Sequence, residues 1–464
     1  MQTLLGVPIS LILAIVCGLF ALGILGLTAT AARHRLLVAL ALRNIPRRRV
    51  QSGLIALGLA LGTVIITTAL NTGDTMSYTV RSLVAGTIGR TDEVIVQPQR
   101  DARRTGFDAA QSIANGTFLT GTLSFFDQGE YDRLADALAG DERIEGLAPA
   151  IVEQVVVVNR STQELQAQVR LFALPRDYPP VFGRLETSEG RALTLGGVAA
   201  TAAVVNAEGA AALQAQPGHS LRVYYRERQL DVELAEVVKN GDLGGVQPTL
   251  VLPLEDLQQL ADQPRQINQI LVANRGDATT SVRLSEDVAR AVRPLLLDQA
   301  AVNRIFGLLR SDLARAELAG ALPNFEPRFR ERVERLLREL DAESPTDDFK
   351  ALIADPEMER RLIGVGARLA ALQGRSGTNL LSTASTLRLI EVKRLSQELA
   401  DRWGGALTSV FVVLGLFSIA TGIMLVVLIF VLLAAERRSE MGVTRALGAK
   451  RRHLIAMFLY EGLV

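Results

Sequence analysis

Glu436 to His453, ERRSEMGVTRALGAKRRH, gathers Arg437, Arg438, Arg445, Lys450, Arg451 and Arg452 around two carboxylates, Glu436 and Glu440, set four residues apart. On a helix that spacing puts both carboxylates on one face with Arg437 and Arg438 beside them. The chemistry such a set performs is electrostatic docking, not bond making. A phosphate-binding loop is absent: in Leu447-Gly448-Ala449-Lys450 the Gly and the Lys are separated, and no Ser or Thr follows the Lys. No His-Glu-x-x-His, Gly-x-Ser-x-Gly or kinase signature occurs either. Cys17 is the only cysteine, and His34, His219 and His453 are the only histidines. A disulfide framework, a thiolate zinc site and a histidine metal cluster are therefore excluded from the middle of the chain. His219, in the turn Pro217-Gly218-His219, reads as a solvated loop residue. No catalytic residue, cofactor or metal is expected.

The elements that must position this basic segment are apolar. Hydrophobic residues make up 48% of the chain and charged ones 21%, but the apolar ones lie in blocks. Met1 to Ala32, Val50 to Thr72 and Trp403 to Ala435 contain no Asp, Glu, Lys or Arg. Each exceeds the roughly 20 residues that cross a bilayer core of about 30 Å. A fourth run starts at Leu454 and ends with the chain at Val464, so a longer protein is expected. Small residues at Thr28 to Ala32 would suit cleavage of a secretory signal, but the first run has no basic start and its apolar core is long, so a retained helix is the better reading.

Charge sets the orientation. Arg33, Arg35, Arg43, Arg47, Arg48 and Arg49 face no acid between the first two runs, and the segment after the third is also basic; both belong in the cytoplasm. Between Thr72 and Trp403 lie 38 basic and 46 acidic side chains, net −8, in a region that must then be outside.

That outer region divides in two. Segments 92–97, 151–159, 164–174, 202–206, 220–225, 228–238, 249–253 and 269–274 are rich in β-branched residues and several alternate, which predicts strands. Short helices fit over 128–138, 207–213 and 253–261, turns at Asn240-Gly241-Asp242 and Gln216-Pro217-Gly218, and hairpins over 152–174 and 221–238. From Ser281 to Arg402 the period turns helical: Leu296, Ile305, Leu308, Leu309, Leu313, then Val333, Leu336, Leu337, Leu340, then Leu362, Ile363, Leu369, Leu372. Ser385 to Arg402 has neither Pro nor Gly and predicts a stiff helix running on into the third membrane span. Within the spans, Gly58 and Gly62, and Gly415 with Gly422, offer small faces on which helices pack closely. No charged residue lies inside a span, so an ion or proton path is not expected there.

Ala41-Leu-Arg-Asn-Ile-Pro-Arg-Arg-Arg49 before a Gly-rich span, and Ala435-Glu-Arg-Arg-Ser-Glu-Met-Gly-Val-Thr-Arg-Ala-Leu-Gly-Ala449 after a later one, resemble the FtsX-like permeases of ABC transporters, the group of MacB, LolC and LolE. Gly190-Arg-Ala-Leu193, Ala203-Val-Val-Asn206, Pro217-Gly-His-Ser-Leu221 and Leu250-Val-Leu-Pro-Leu254 are similar, in the same order, to turns and strands of the MacB-type periplasmic core domain. The resemblance implies a separate ATPase dimer as partner, a second permease copy or half, the lipid bilayer and no nucleic acid. It further implies a coupling helix at 436–453, in which Glu436, Arg437, Arg438, Glu440, Arg445, Arg451 and Arg452 meet the ATPase while Gly442 and Gly448 allow a bend.

The expected architecture is an integral membrane α-helical protein with three membrane helices plus the start of a fourth, a large α+β extracytoplasmic domain and a helical insertion. Its parts are an extra membrane helix over 1–32, a basic cytoplasmic loop with an interfacial helix over 33–49, a membrane helix over 50–72 and a MacB-like core domain over 73–280. They continue with a helical region over 281–402, a membrane helix over 403–435, the coupling helix over 436–453 and a further span from 454. The first helix and the stretch 281–384 depart from the family's pattern. The expected function is the permease subunit that couples a partner's ATP hydrolysis to export or to mechanotransmission; the alternatives are a ligand sensor and a regulator of cell-wall hydrolases.

Overall fold

The computed structural model describes residues 89–99, 123–241, 245, 247–277, 280–358 and 386–399, with isolated positions between 3 and 68 and between 401 and 446. The chain forms two compact units, Met1–Tyr78 with Asp401–Val464, and Thr79–Ala400.

The second unit is built on a sheet whose main strands are β1 (Glu93–Pro98), β2 (Ile144–Asn159), β3 (Leu165–Leu174), β4 (Ala202–Asn206), β5 (Ser220–Tyr225), β6 (Arg228–Val238), β7 (Thr249–Pro253), β8 (Gln269–Asn274) and β9 (Arg388–Ile390). Their order is β5-β6-β4-β7-β3-β2-β8-β1-β9. β4 runs parallel to β6 and β7 parallel to β3; the other neighbours are antiparallel. β5 also pairs β2, through Leu221 with Asn159 to Tyr224 with Val156, which closes the first six strands of that order into a ring. β2 is the shared strand: 144–150 pair with β8, and 151–158 pair with β3.

Alternation of apolar side chains explains why both faces of this sheet are covered. In β4, Ala203 and Val205 enter one core and Ala202 and Val204 the other; in β8, Ile270 and Val272 oppose Leu271 and Ala273. In β1, Ile95 faces one core and Val94 and Val96 the other. Three short helices, α1 (Gly129–Ala137), α2 (Ala207–Ala212) and α3 (Leu254–Leu260), cover the first core with Leu134, Ala210 and Leu257. Asn206 caps α2 by accepting from the Gly209 N–H.

After the sheet come α4 (Ser285–Leu295), α5 (Gln299–Leu309), α6 (Asp312–Ala321), α7 (Pro327–Glu339) and α8 (Asp347–Ile353). α4 buries Val288, Ala289 and Val292 against the sheet. α5 to α8 instead make their own core from Val302, Ile305, Phe306 and Leu309, with Phe329, Val333, Leu336 and Leu340, and with Phe349, Leu352 and Ile353. The Phe306 and Phe349 rings meet edge to face at 5.0 Å. Asp298, Ser311 and Thr346 cap α5, α6 and α8, and Pro327 opens α7.

The sequence reading of the outer region agrees with this fold closely for the strands and helices up to residue 274, and departs from it in four places. β2 begins at Ile144, upstream of the predicted 151, because its first half is held by tertiary pairing with β8 despite Gly146 and Pro149. Gly146 fits there because a Cβ would meet the Val181 methyl at 2.7 Å. The predicted helix over 385–402 starts late: Arg388–Ile390 is strand β9, paired with β1, and helix runs over 392–399. Leu313, expected in the helical core, is 45% exposed. His219 is half-buried, not solvated, with Nδ1 3.1 Å from Nδ2 of the buried Asn159.

In the first unit, Thr3–Leu4 and Val7–Pro8 pair as a short antiparallel ladder where a helix was expected from residue 1; Pro8 lacks the N–H a helix interior needs. Residues 14, 18, 21 and 25 are helical. Val410, Val413, Leu414, Phe417, Met424, Val427, Leu428 and Val431 are helical and exposed at steps of three and four. The Thr421 hydroxyl donates to the Phe417 carbonyl at 2.9 Å. Among the described residues no helix is long and apolar enough to cross a membrane; the three apolar runs lie largely outside them.

Candidate functional site

Chain connectivity points to one place. The second unit is entered at Thr79 and left at Ala400, and the strands next to those two ends, β1 and β9, are neighbours. Their antiparallel register, Val94 with Ile390 and Val96 with Arg388, brings Asp92 before β1 and Lys393 after β9 to the same end of the sheet.

There the two side chains form a buried ion pair, Lys393 Nζ to Asp92 Oδ1 at 2.7 Å, with side chains only 4% and 1% exposed. The backbone repeats the link, the Lys393 N–H donating to the Asp92 carbonyl at 3.2 Å. Asp92 is otherwise satisfied from the end of β8 and the segment after it: Ser281 Oγ donates to Oδ1 at 2.7 Å and the Asn274 N–H to Oδ2 at 2.8 Å. Lys393 also donates to Ser281 Oγ at 3.2 Å. One cation thus ties the first long strand of this unit in chain order, its last strand, and the start of the helical region.

Beside it stands a second acid. Glu93 is fully buried; its Oε1 accepts from Asn274 Nδ2 at 2.8 Å, while Oε2 has no hydrogen-bond partner among the described residues. Burial pushes its carboxyl up to about 8; the charges of Asp92 and Glu391 push the same way, against hydrogen bonds from Ser285 and Asn274. The site therefore sets the Asp92–Lys393 ion pair beside a buried carboxyl that holds its proton more tightly than a free one.

The next link is Glu391, between β9 and the helix over 392–399. Its Oε1 lies 2.7 Å from an Arg293 nitrogen of α4, and its Oε2 2.8 Å from Arg394 Nε. Val392 enters the second sheet core, with Leu395 and Leu399 packed against it, and the buried Ser396 hydroxyl donates to the Val392 carbonyl at 2.6 Å. The helix that leads toward residue 401 is thus rooted by apolar contacts with the sheet, by the Lys393–Asp92 pair at the head of β1 and by the Glu391–Arg293 pair to α4.

The docking residues singled out in the sequence, Glu436, Arg437, Arg438, Glu440, Arg445, Gly448, Arg451 and Arg452, lie outside the described residues, as do Gly58, Gly62, Gly415 and Gly422. Gly442 is helical and exposed, with nothing within 4 Å of where a Cβ would stand, and Ala446 one turn on is helical too. Sequence reading missed Asp92, Glu93, Asn274, Ser281, Glu391 and Lys393. The signal available was Ile390-Glu-Val-Lys393, which alternates apolar and charged residues as a strand does.

Residues 52–293 match the family of MacB-like periplasmic core domains, and residues 412–464 match the FtsX-like permease C-terminal family. The chain belongs to the MacB/FtsX-type permeases of ABC transporters. Solved structures similar to this permease include the periplasmic region of MacB from Actinobacillus actinomycetemcomitans, at 16% identity and TM-score 0.29 over 47% of this chain and 89% of that one. Another is the extracellular domain of the noncanonic ABC-type transporter YknZ from Gram-positive bacteria, at 13% identity and TM-score 0.29 over 44% of this chain and 92% of that one. No curated protein matches. In this permease the first match ends within α4, so α5 to α8 fall between the two matched segments.

Proposed function

We propose that this permease converts ATP hydrolysis by a separate ATPase dimer into movement of its extracytoplasmic domain, with the Asp92–Lys393 joint as the rigid end of the transmission. The observation that carries this reading is the joint itself. A domain that only bound ligand would have no need to fasten its entering and leaving strands by a buried ion pair, which is costly to desolvate and more costly to break.

In this reading the apolar runs span the inner membrane and the domain stands on its outer side. The exposed apolar stripe from Val410 to Val431 suits contact with lipid, and the bond from Thr421 to the carbonyl four residues back suits a hydroxyl with no water near it. The basic segment 436–453 then lies in the cytoplasm, where its arginines pair with acidic ATPase surface and Met441, Val443, Leu447 and Leu454 add apolar contact. A second permease copy completes the assembly around the ATPase dimer.

The test is co-purification of the full chain with its candidate ATPase, using Glu440→Lys, Arg445→Glu and Gly448→Pro. The expected result is loss of the complex or of its stimulated ATPase activity. Survival of both in all three variants would overturn the docking assignment.

A further inference from the structure

α4 rests on the sheet, whereas α7 and α8 belong to the separate helical core, and between them lies an open pocket of about 380 Å³. Arg290 and Arg293 of α4 and Arg332 and Arg335 of α7 line it together with Glu286, Asp348 and Asp355, so that guanidinium groups from two helices converge on one opening.

The four arginines are not held alike. Arg293 is committed to the nearly buried Glu391, and Arg332 is held by Asp355 and Glu357 together. Arg290 is 67% exposed and, among the described residues, held by Glu286 and Asp287 of its own helix, and Arg335 is 50% exposed with Glu331 at 3.7 Å one turn away. Such exposed pairs along one helix contribute little to stability and are given up readily to a better acceptor. Arg290 and Arg335 are therefore available, one from each side of the cleft. Guanidinium groups match carboxylate and phosphate oxygens in bidentate geometry.

We infer that this cleft is a binding site for a small organic or inorganic polyanion, carrying at least two carboxylate or phosphate groups, which bridges Arg290 and Arg335. Bound there, the anion fixes α7 and α8 to α4. Because Arg293 of the same wall holds Glu391 at the head of the helix over 392–399, occupancy stiffens the root of that helix; this last step rests on the transmission reading above, whereas binding does not.

Titration calorimetry on the full chain in lipid nanodiscs, at low ionic strength, with citrate and with pyrophosphate as the two probes, tests the site. Saturable binding of either is expected, the stronger one identifying carboxylate or phosphate as the preferred group. Arg290→Gln and Arg335→Gln should each weaken it about tenfold or more, while Arg304→Gln on α5, outside the cleft, should leave it unchanged. Absence of saturable binding by both probes, or full retention in the Arg290→Gln, Arg335→Gln double variant, would overturn the site. Glu440→Lys should bind the probe as the unaltered chain does. Loss of ATPase stimulation in that variant with binding intact bears on docking alone, so the two readings fail separately.

Discussion

At the scale of single residues the joint is a problem of charge conservation in a dry place. Lys393 neutralises Asp92, and removing either leaves the other uncompensated. Lys393→Met should lower stability by about 3–5 kcal/mol, read as earlier loss of hydrogen-exchange protection in β1 and β9 during denaturant titration of the full chain. Lys393→Arg should recover only part, because Nζ reaches both Asp92 and Ser281 in a space sized for an ammonium. Glu93 sets the response to pH. Its carboxyl ionises near 4.5 when free and at about 8 when folded, so the unfolded chain releases that proton first. The stability Glu93 contributes is complete below about pH 4.5, declines as pH rises and is gone above about 8. Glu93→Gln should flatten the decline in joint protection between those values; an unchanged profile would show that another group titrates there.

At the scale of elements, what could be read from sequence follows from how local the cause of each element is. β4 to β7, β8 and the two hairpins carry their own β-branched alternation and their own turns, such as Gly218 and Gly241 with positive φ, so their limits were legible. β9 was not. Three residues long and set among helical charge patterns, it is a strand only because β1 presents an edge to it. The same distinction separates the helices: α5 and α8 display apolar faces behind capping residues and α7 one behind Pro327, whereas the partner of each face lies in another helix. Leu336→Ala should cost about 2–5 kcal/mol in the α5–α8 core, seen as faster exchange in α5, α7 and α8 with β1 to β8 unaffected. Thr346→Ala, which removes the cap accepting from the Phe349 N–H, should cost about 1 kcal/mol and fray the start of α8 alone.

At the scale of the whole molecule the candidate site divides by chain distance. The proposed docking arginines rest on a contiguous motif, while the joint needs residues from both ends of the extracytoplasmic region and from its middle, which no local pattern relates. Orientation is the property to test here. In a Cys17→Ser background, a cysteine at Arg445 should react with a membrane-impermeant maleimide only in inverted vesicles, and one at the exposed Ser161 only in intact cells. Labelling of both from one side would reject the assigned topology.

The position of β9 after the helical segment also bears on synthesis. β1 sits between β8 and β9, so when β8 has left the ribosome β1 still has an open edge along Val94 to Val96. That edge must wait while α4 to α8 and the residues after them are translated, and an unpaired apolar strand is where chains associate wrongly. The nascent domain therefore depends on its last few residues to seal it. Ribosome-stalled chains ending before Arg388 should recruit holdase chaperones that chains ending after Lys393 release.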